Sequence, residues 1–139
     1  MPKKKNSIRG KKSRAAGARF ELKVRGGLEK EGWIVDKWSN NVDLEENKLV
    51  KAKRKYNPYK KVLGIGTGFP DFIAFKRKGK NYGVIGVEAR GNGWLDKGER
   101  EKCDFLLDKK IFSKILIAKK GKKRGEIEYI DFKEKYNKA

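Results

Sequence analysis

Apolar residues recur every fourth position at Phe20, Val24 and Leu28, with Ala16 and Gly17 on the same side, which predicts a helix over Arg14–Lys30 capped by Ser13. Gly32 suits the position just past its end. A strand is expected from Trp33 to Trp38, with both tryptophans in the core or at a sheet edge. Phe72 to Phe75 is a short aromatic and β-branched run. From Val84 to Ala89 the chain alternates Ile85, Val87 and Ala89 against Val84, Gly86 and Glu88, a period of two. Lys78, Gly79, Lys80 and Asn81 between them form a hairpin turn, with Gly79 free to take a positive φ. Asp96 followed by Glu99 opens a second helix with a capping box, and Cys103, Leu106 and Leu107 are its buried stripe. The continuous apolar run in Lys114–Ala118 suits a strand covered on both faces, and Glu126–Phe132 alternates like an edge strand. The order α-β-β-β-α-β-β is that of an α/β fold.

The hairpin carries the candidate chemistry. With its turn as the mid-point, Asp71 falls directly opposite Glu88, where Cβ atoms lie about 5 Å apart. Two carboxylates at that distance repel unless something positive relieves them. The chain has no His, so a hard cation that takes oxygen ligands, Mg²⁺ or Mn²⁺, is the expected partner. Arg90, two residues past Glu88, points to the same face of the strand. The alternative is structural: Asp71 as a turn residue and Glu88 as an exposed strand residue paired with Arg90.

Composition narrows the partners. The 139 residues hold 38 Lys+Arg against 18 Asp+Glu, a net charge of +20. Such a field attracts polyanions, nucleic acid first among them. No apolar run approaches the ~18 residues of a membrane span and no hydrophobic signal segment opens the chain, so no membrane partner and a cytoplasmic, nucleoid-associated location are expected. Cys103 is the one cysteine; without His it belongs to no zinc site of the usual kind and packs as a small apolar residue. Abundant Lys and Glu are compatible with a thermophile.

Two basic stretches are candidate nucleic-acid contacts. Residues 1–13, with Lys3, Lys4, Lys5, Lys11 and Lys12 and with Arg14 just beyond, read as a flexible arm ahead of a single domain over 14–139. A polar insertion at about 42–61 carries Lys51, Lys53, Arg54, Lys55, Lys60 and Lys61 interleaved with Tyr56 and Tyr59, cations for phosphates and rings for bases. Lys97 lies near the site by sequence and joins them. Val62 to Ile65 reads as a short extended piece. Gly64, Gly66 and Gly68 allow backbone to approach a ligand, but no Lys-Ser/Thr follows at the spacing of a nucleotide-binding loop, which excludes that class.

Pro70 and Asp71, a hairpin, then Glu88 and a basic residue at 90 resemble the PD-(D/E)XK nuclease superfamily in order, spacing and phase. The archaeal Holliday junction resolvases and the small VRR-NUC type nucleases look most similar. The resemblance covers about Arg14 to Phe132 and implies a restriction-endonuclease-like core, a mixed central sheet flanked by helices. It further implies a Mg²⁺-dependent DNA endonuclease, acting on branched or structured DNA, with Asp71, Glu88 and the Ala89 carbonyl as metal ligands. Glu21, on the first helix, would assist as a catalytic residue or further ligand, and Arg90 would stand where the family has Lys. Arg90 departs from that pattern: always protonated, it supplies charge but no base, so either the metal alone generates the hydroxide or Lys97 or Lys102 takes the role. The insertion between Trp38 and Asp71 is longer than in the resolvases, which puts junction specificity in doubt. A non-catalytic nucleic-acid-binding protein with a degenerate site is the alternative, RNA remains open as a substrate, and cutting both strands would call for a homodimer.

Overall fold

The computed structural model describes residues 2–52, 55–57, 62–64 and 68–136, with side chains over 10–52 and 68–136. Helix α1 (Pro2–Lys30) leads into strand β1 (Ile34–Lys37), and two small hairpins follow, β2 (Asn40–Asp43) with β3 (Lys48–Lys51) and β4 (Lys55–Asn57) with β5 (Val62–Gly64). Then come β6 (Phe72–Lys78), β7 (Asn81–Ala89), α2 (Lys97–Asp108), β8 (Lys114–Lys120), β9 (Ile127–Asp131) and α3 (Phe132–Tyr136). Five strands make a mixed sheet in the order β1-β6-β7-β8-β9. Pairing is antiparallel except between β7 and β8, which α2 connects.

The expected α/β fold, a mixed central sheet flanked by helices, is therefore present, with corrections to its element order. Helix α1 begins at Pro2, so Ser13 lies inside the helix instead of capping it, and the helix starts twelve residues before Arg14. Lys, Arg and Ala are good helix formers, and a charge run does not break a helix once one has started. The insertion contains paired strands, and Phe132 opens α3 instead of ending β9.

Alternation along the strands divides the core in two. Phe20, Val24 and Leu28 of α1 pack with Val35, Phe72, Ala74, Ile85, Val87 and Ala118 on one face. Cys103, Leu106 and Leu107 of α2 pack with Phe112, Ile115, Ile117 and Phe132 on the other. Ile115 and Ile117 thus alternate with Leu116 and Ala118, and β8 is covered on both faces as its apolar run predicts. Trp33 and Trp38 are both partly buried, one against each cluster, as expected. Ala16 and Gly17, expected on the buried side of α1, are exposed, as is every residue from Lys11 to Arg19. Gly32 ends the helix at φ 95°, and the Arg25 guanidinium clamps α1 to the sheet by donating to the Val35 carbonyl at 2.9 Å.

Candidate active site

The hairpin takes the register its turn implies. Lys78 pairs with Asn81 and Phe72 with Val87, so Asp71 and Glu88 are the next opposed pair. Gly79 takes φ 59° at the first turn position, as a two-residue loop requires. Glu88 lies on the face of β7 that α2 covers and is, among the described residues, the one charged or polar residue that is buried, 4% exposed.

The two acids are held by a reciprocal clasp across the strands. The Asp71 N–H donates to Glu88 Oε1 at 3.1 Å, and the Ala89 N–H donates to Asp71 Oδ2 at 2.9 Å. Main-chain N–H and C=O of one strand residue project to the same side, so the Ala89 carbonyl also faces β6 and the Asp71 carboxylate. Asp71 is anchored below as well, its carbonyl accepting from the Trp38 N–H at 3.1 Å. Gly86 explains how the chain enters this position: a Cβ there would lie 2.8 Å from the Pro70 ring and 3.1 Å from Phe112. The absent side chain is the seat for the residue preceding Asp71.

Burial, then the charge of Asp71 and a side-chain hydrogen bond to it, push the Glu88 carboxyl well above its ordinary range, while Arg90 opposes the shift. Glu88 is thereby pushed towards its neutral form, the signature of an acid placed beside another without enough positive charge. Arg90 supplies part of it. Its Nε lies 3.3 Å from Glu88 Oε2, and its Nη2 is bonded to Glu99 Oε2. Glu99 also accepts the Asp96 N–H through Oε1 while Asp96 Oδ1 accepts the Glu99 N–H, so the capping box is formed as predicted. One residue thus caps α2 and holds Arg90. Proximity in sequence was the single cue to that link, because no spacing rule connects a strand end to the next helix.

Glu21 sits on α1, whose apolar stripe packs on the opposite face of the sheet from Glu88. Burial raises its pKa, followed by the Asp71 charge, and Lys37 opposes. It is electrostatically coupled to the pair but outside it: among the described residues, no group of three or more His, Cys, Asp or Glu gathers as a ready metal cage. The Nζ of Lys102 lies 5.7 Å from the ring of Phe69, two residues before Asp71 in sequence, one turn along α2 from Glu99. Lys97 instead lines a groove between α2 and α3 with Arg100, Asp104 and Tyr136. Cys103 is fully buried and burial pushes its thiol up, removing it from nucleophilic chemistry.

The expected nucleic-acid contacts divide. Lys11, Lys12, Arg14 and Lys51 are exposed. Lys3, Lys4 and Lys5 lie within α1 and Lys55 and Tyr56 within β4, whereas Lys53, Arg54, Tyr59, Lys60 and Lys61 fall outside the described residues. Gly68 does not open backbone to a ligand: a Cβ there would lie 2.1 Å from the Trp38 carbonyl and 2.5 Å from that of Asn40. Its glycine serves the packing of the chain on itself. Trp94, 63% exposed and with the Lys135 ammonium 3.9 Å from its ring centre, was missed by the sequence reading. Its exposure follows from a short loop that no periodicity marks. No helix among the described residues is long and apolar enough to cross a membrane. Comparison with protein-family models, with curated proteins and with solved structures finds no match to this chain.

Proposed function

We propose that the protein is a divalent-metal-dependent endonuclease of the PD-(D/E)XK type acting on DNA, structured DNA included. The observation that carries this reading is the Asp71–Glu88 clasp, a buried carboxyl held against a half-buried one in a chain of net charge +20. A pure binder of polyanions gains nothing from opposing two carboxylates. The donor set fits Mg²⁺ or Mn²⁺: two carboxylates and the Ala89 carbonyl are hard oxygens, and a cation would relieve the repulsion between the acids. Bound there, such an ion would polarise the scissile phosphate and acidify an attacking water.

The chain's own residues do the rest. Asp71 and Glu88 are fixed by main-chain N–H groups, so ligand oxygens need no reorganisation. Arg90, its side chain 41% exposed, keeps one edge of its guanidinium for phosphate while Glu88 and Glu99 hold the other. Lys102, whose ammonium lies 5.7 Å from the Phe69 ring, would be the amine that orients water, a role a permanently protonated Arg90 cannot take. Glu21 adds negative charge from the far side of the sheet edge.

Nicking of supercoiled and branched DNA with Mg²⁺ or Mn²⁺ tests the reading. Wild type is expected to cut and Asp71→Asn to fall to background; identical behaviour of the two overturns it. A second reading, binding without hydrolysis, draws on Arg90 being engaged by two carboxylates. It predicts DNA binding that EDTA leaves unchanged and no cut product under any metal.

A further inference from the structure

The carboxylate end of the sheet has a second concave surface, on the α1 side. There the turn from β8 to β9 folds back towards α1 and encloses a groove of about 460 Å³. Its floor is apolar, Phe20 and Ile127. Its walls carry five cations, Lys23 from α1 and Lys120, Lys122, Lys123 and Arg124 from the turn. The one acid of the groove, Glu126, is directed into the turn itself, accepting the Lys123 N–H at 3.2 Å.

The turn is a fixed platform. Gly121 N–H donates to the Glu126 carbonyl at 2.7 Å and Glu126 N–H to that of Lys123 at 3.1 Å. Gly125 takes φ 81°, and a Cβ on Gly121 would come within 2.6 Å of the Glu126 side chain. Like charges gathered on a rigid, concave surface repel one another, and an anion laid between them relieves that repulsion. Lys120 joins the groove to the acid pair: its stem passes 3.5 Å from where a Gly91 Cβ would stand, beside Arg90, and its ammonium lies 6.0 Å from the Phe20 ring centre.

We propose that this groove seats the sugar-phosphate backbone of one nucleic-acid strand, which continues past Lys120 over the end of β7 to Asp71 and Glu88. A polymer with evenly spaced phosphates matches cations strung along a groove, whereas a lipid surface would need a flat or convex face. The seat itself requires no hydrolysis; only the onward path of the strand rests on the nuclease reading.

The test uses the full chain carrying Asp71→Asn, in EDTA, titrated with a fluorescein-labelled DNA single strand of about 15 nucleotides over a series of salt concentrations. Adding K122Q, K123Q and R124Q is expected to weaken binding about tenfold or more. The slope of log K against log salt should become shallower by about 2, as for three lost phosphate contacts on a single strand. A control with K78Q, K80Q and K109Q, the same charge change at the other end of the sheet, should bind as the parent does. Equal weakening in both triples, or none in the groove triple, overturns the proposal. Because cleavage is not read, a failed nuclease reading leaves this result standing. Conversely, an active enzyme whose KM for a single-stranded substrate is unmoved by the groove triple rejects the seat while sparing the site.

Discussion

Glu88 is a carboxylic acid that the fold prefers protonated, and this has a measurable sign. In the unfolded chain it titrates near its ordinary 4.5, while in the folded protein burial and Asp71 raise it. Stabilisation from the neutral form is complete below that ordinary value and is lost as pH rises towards the raised one. Thermal unfolding in EDTA should therefore show wild-type stability falling as pH rises from about 5 towards about 9, with Glu88→Gln much flatter over that interval. Saturating Mg²⁺ should raise the wild-type Tm most at the alkaline end and leave Glu88→Gln nearly unmoved. At the same scale, Lys102→Ala is expected to lower kcat about a hundredfold, the usual range for a positioned proton-transfer group, with KM little changed. Lys97→Ala, on the α2–α3 side, should leave kcat alone. Steady-state nicking rates separate the two.

Among the elements, the hairpin and α2 were legible and the reason is local. Lys78, Gly79, Lys80 and Asn81 fix a two-residue turn, and a turn fixes register; Asp96 and Glu99 cap a helix through their own neighbours. Of the four strands between Trp38 and Pro70 only β5 was anticipated, as an extended piece at Val62 to Ile65; a short strand such as β2, whose one buried residue is Val42, lacks a period to detect. The Arg90–Glu99 contact escaped because it forms only once the sheet end and the helix start are brought together. That contact ties the helix cap to Arg90 and so to the acid pair. Asp96→Ala should cost about 1 kcal/mol of stability, as a lost N-cap does, in chemical denaturation. Gly86→Ala should cost more, about 1–3 kcal/mol from overpacking against Pro70 and Phe112. It should also depress nicking beyond what its stability loss explains, since it displaces the segment that delivers Asp71.

For the whole molecule, the charge read from composition is spread unevenly. From Lys11 to Arg19 the side chains of α1 are exposed and bury nothing, so the core starts at Phe20. Deleting residues 2–12 is expected to shift Tm by no more than a degree or two, as removal of solvated surface does. The same deletion should make the salt dependence of DNA binding shallower, read by anisotropy titration. Composition announced a partner class but not a face; the groove at Lys120–Arg124 emerged only when the β8–β9 turn met α1. A helix at Pro2–Ser13 was hidden for a similar reason, since a run of lysines has the same composition in a helix as in a tail.

The clasp depends on the arms of the hairpin and not on its tip. Lengthening the loop at Gly79 and Lys80 by a small tag would leave Asp71 facing Glu88, because every ladder bond below stays in place. Adding one residue inside β6 would slide the pairing by a step and turn one acid into the Phe20–Val24 side of the core. The tip is thus a place to graft an affinity handle or dye without touching the chemistry, while the arms behave as a ruler that accepts no change in length.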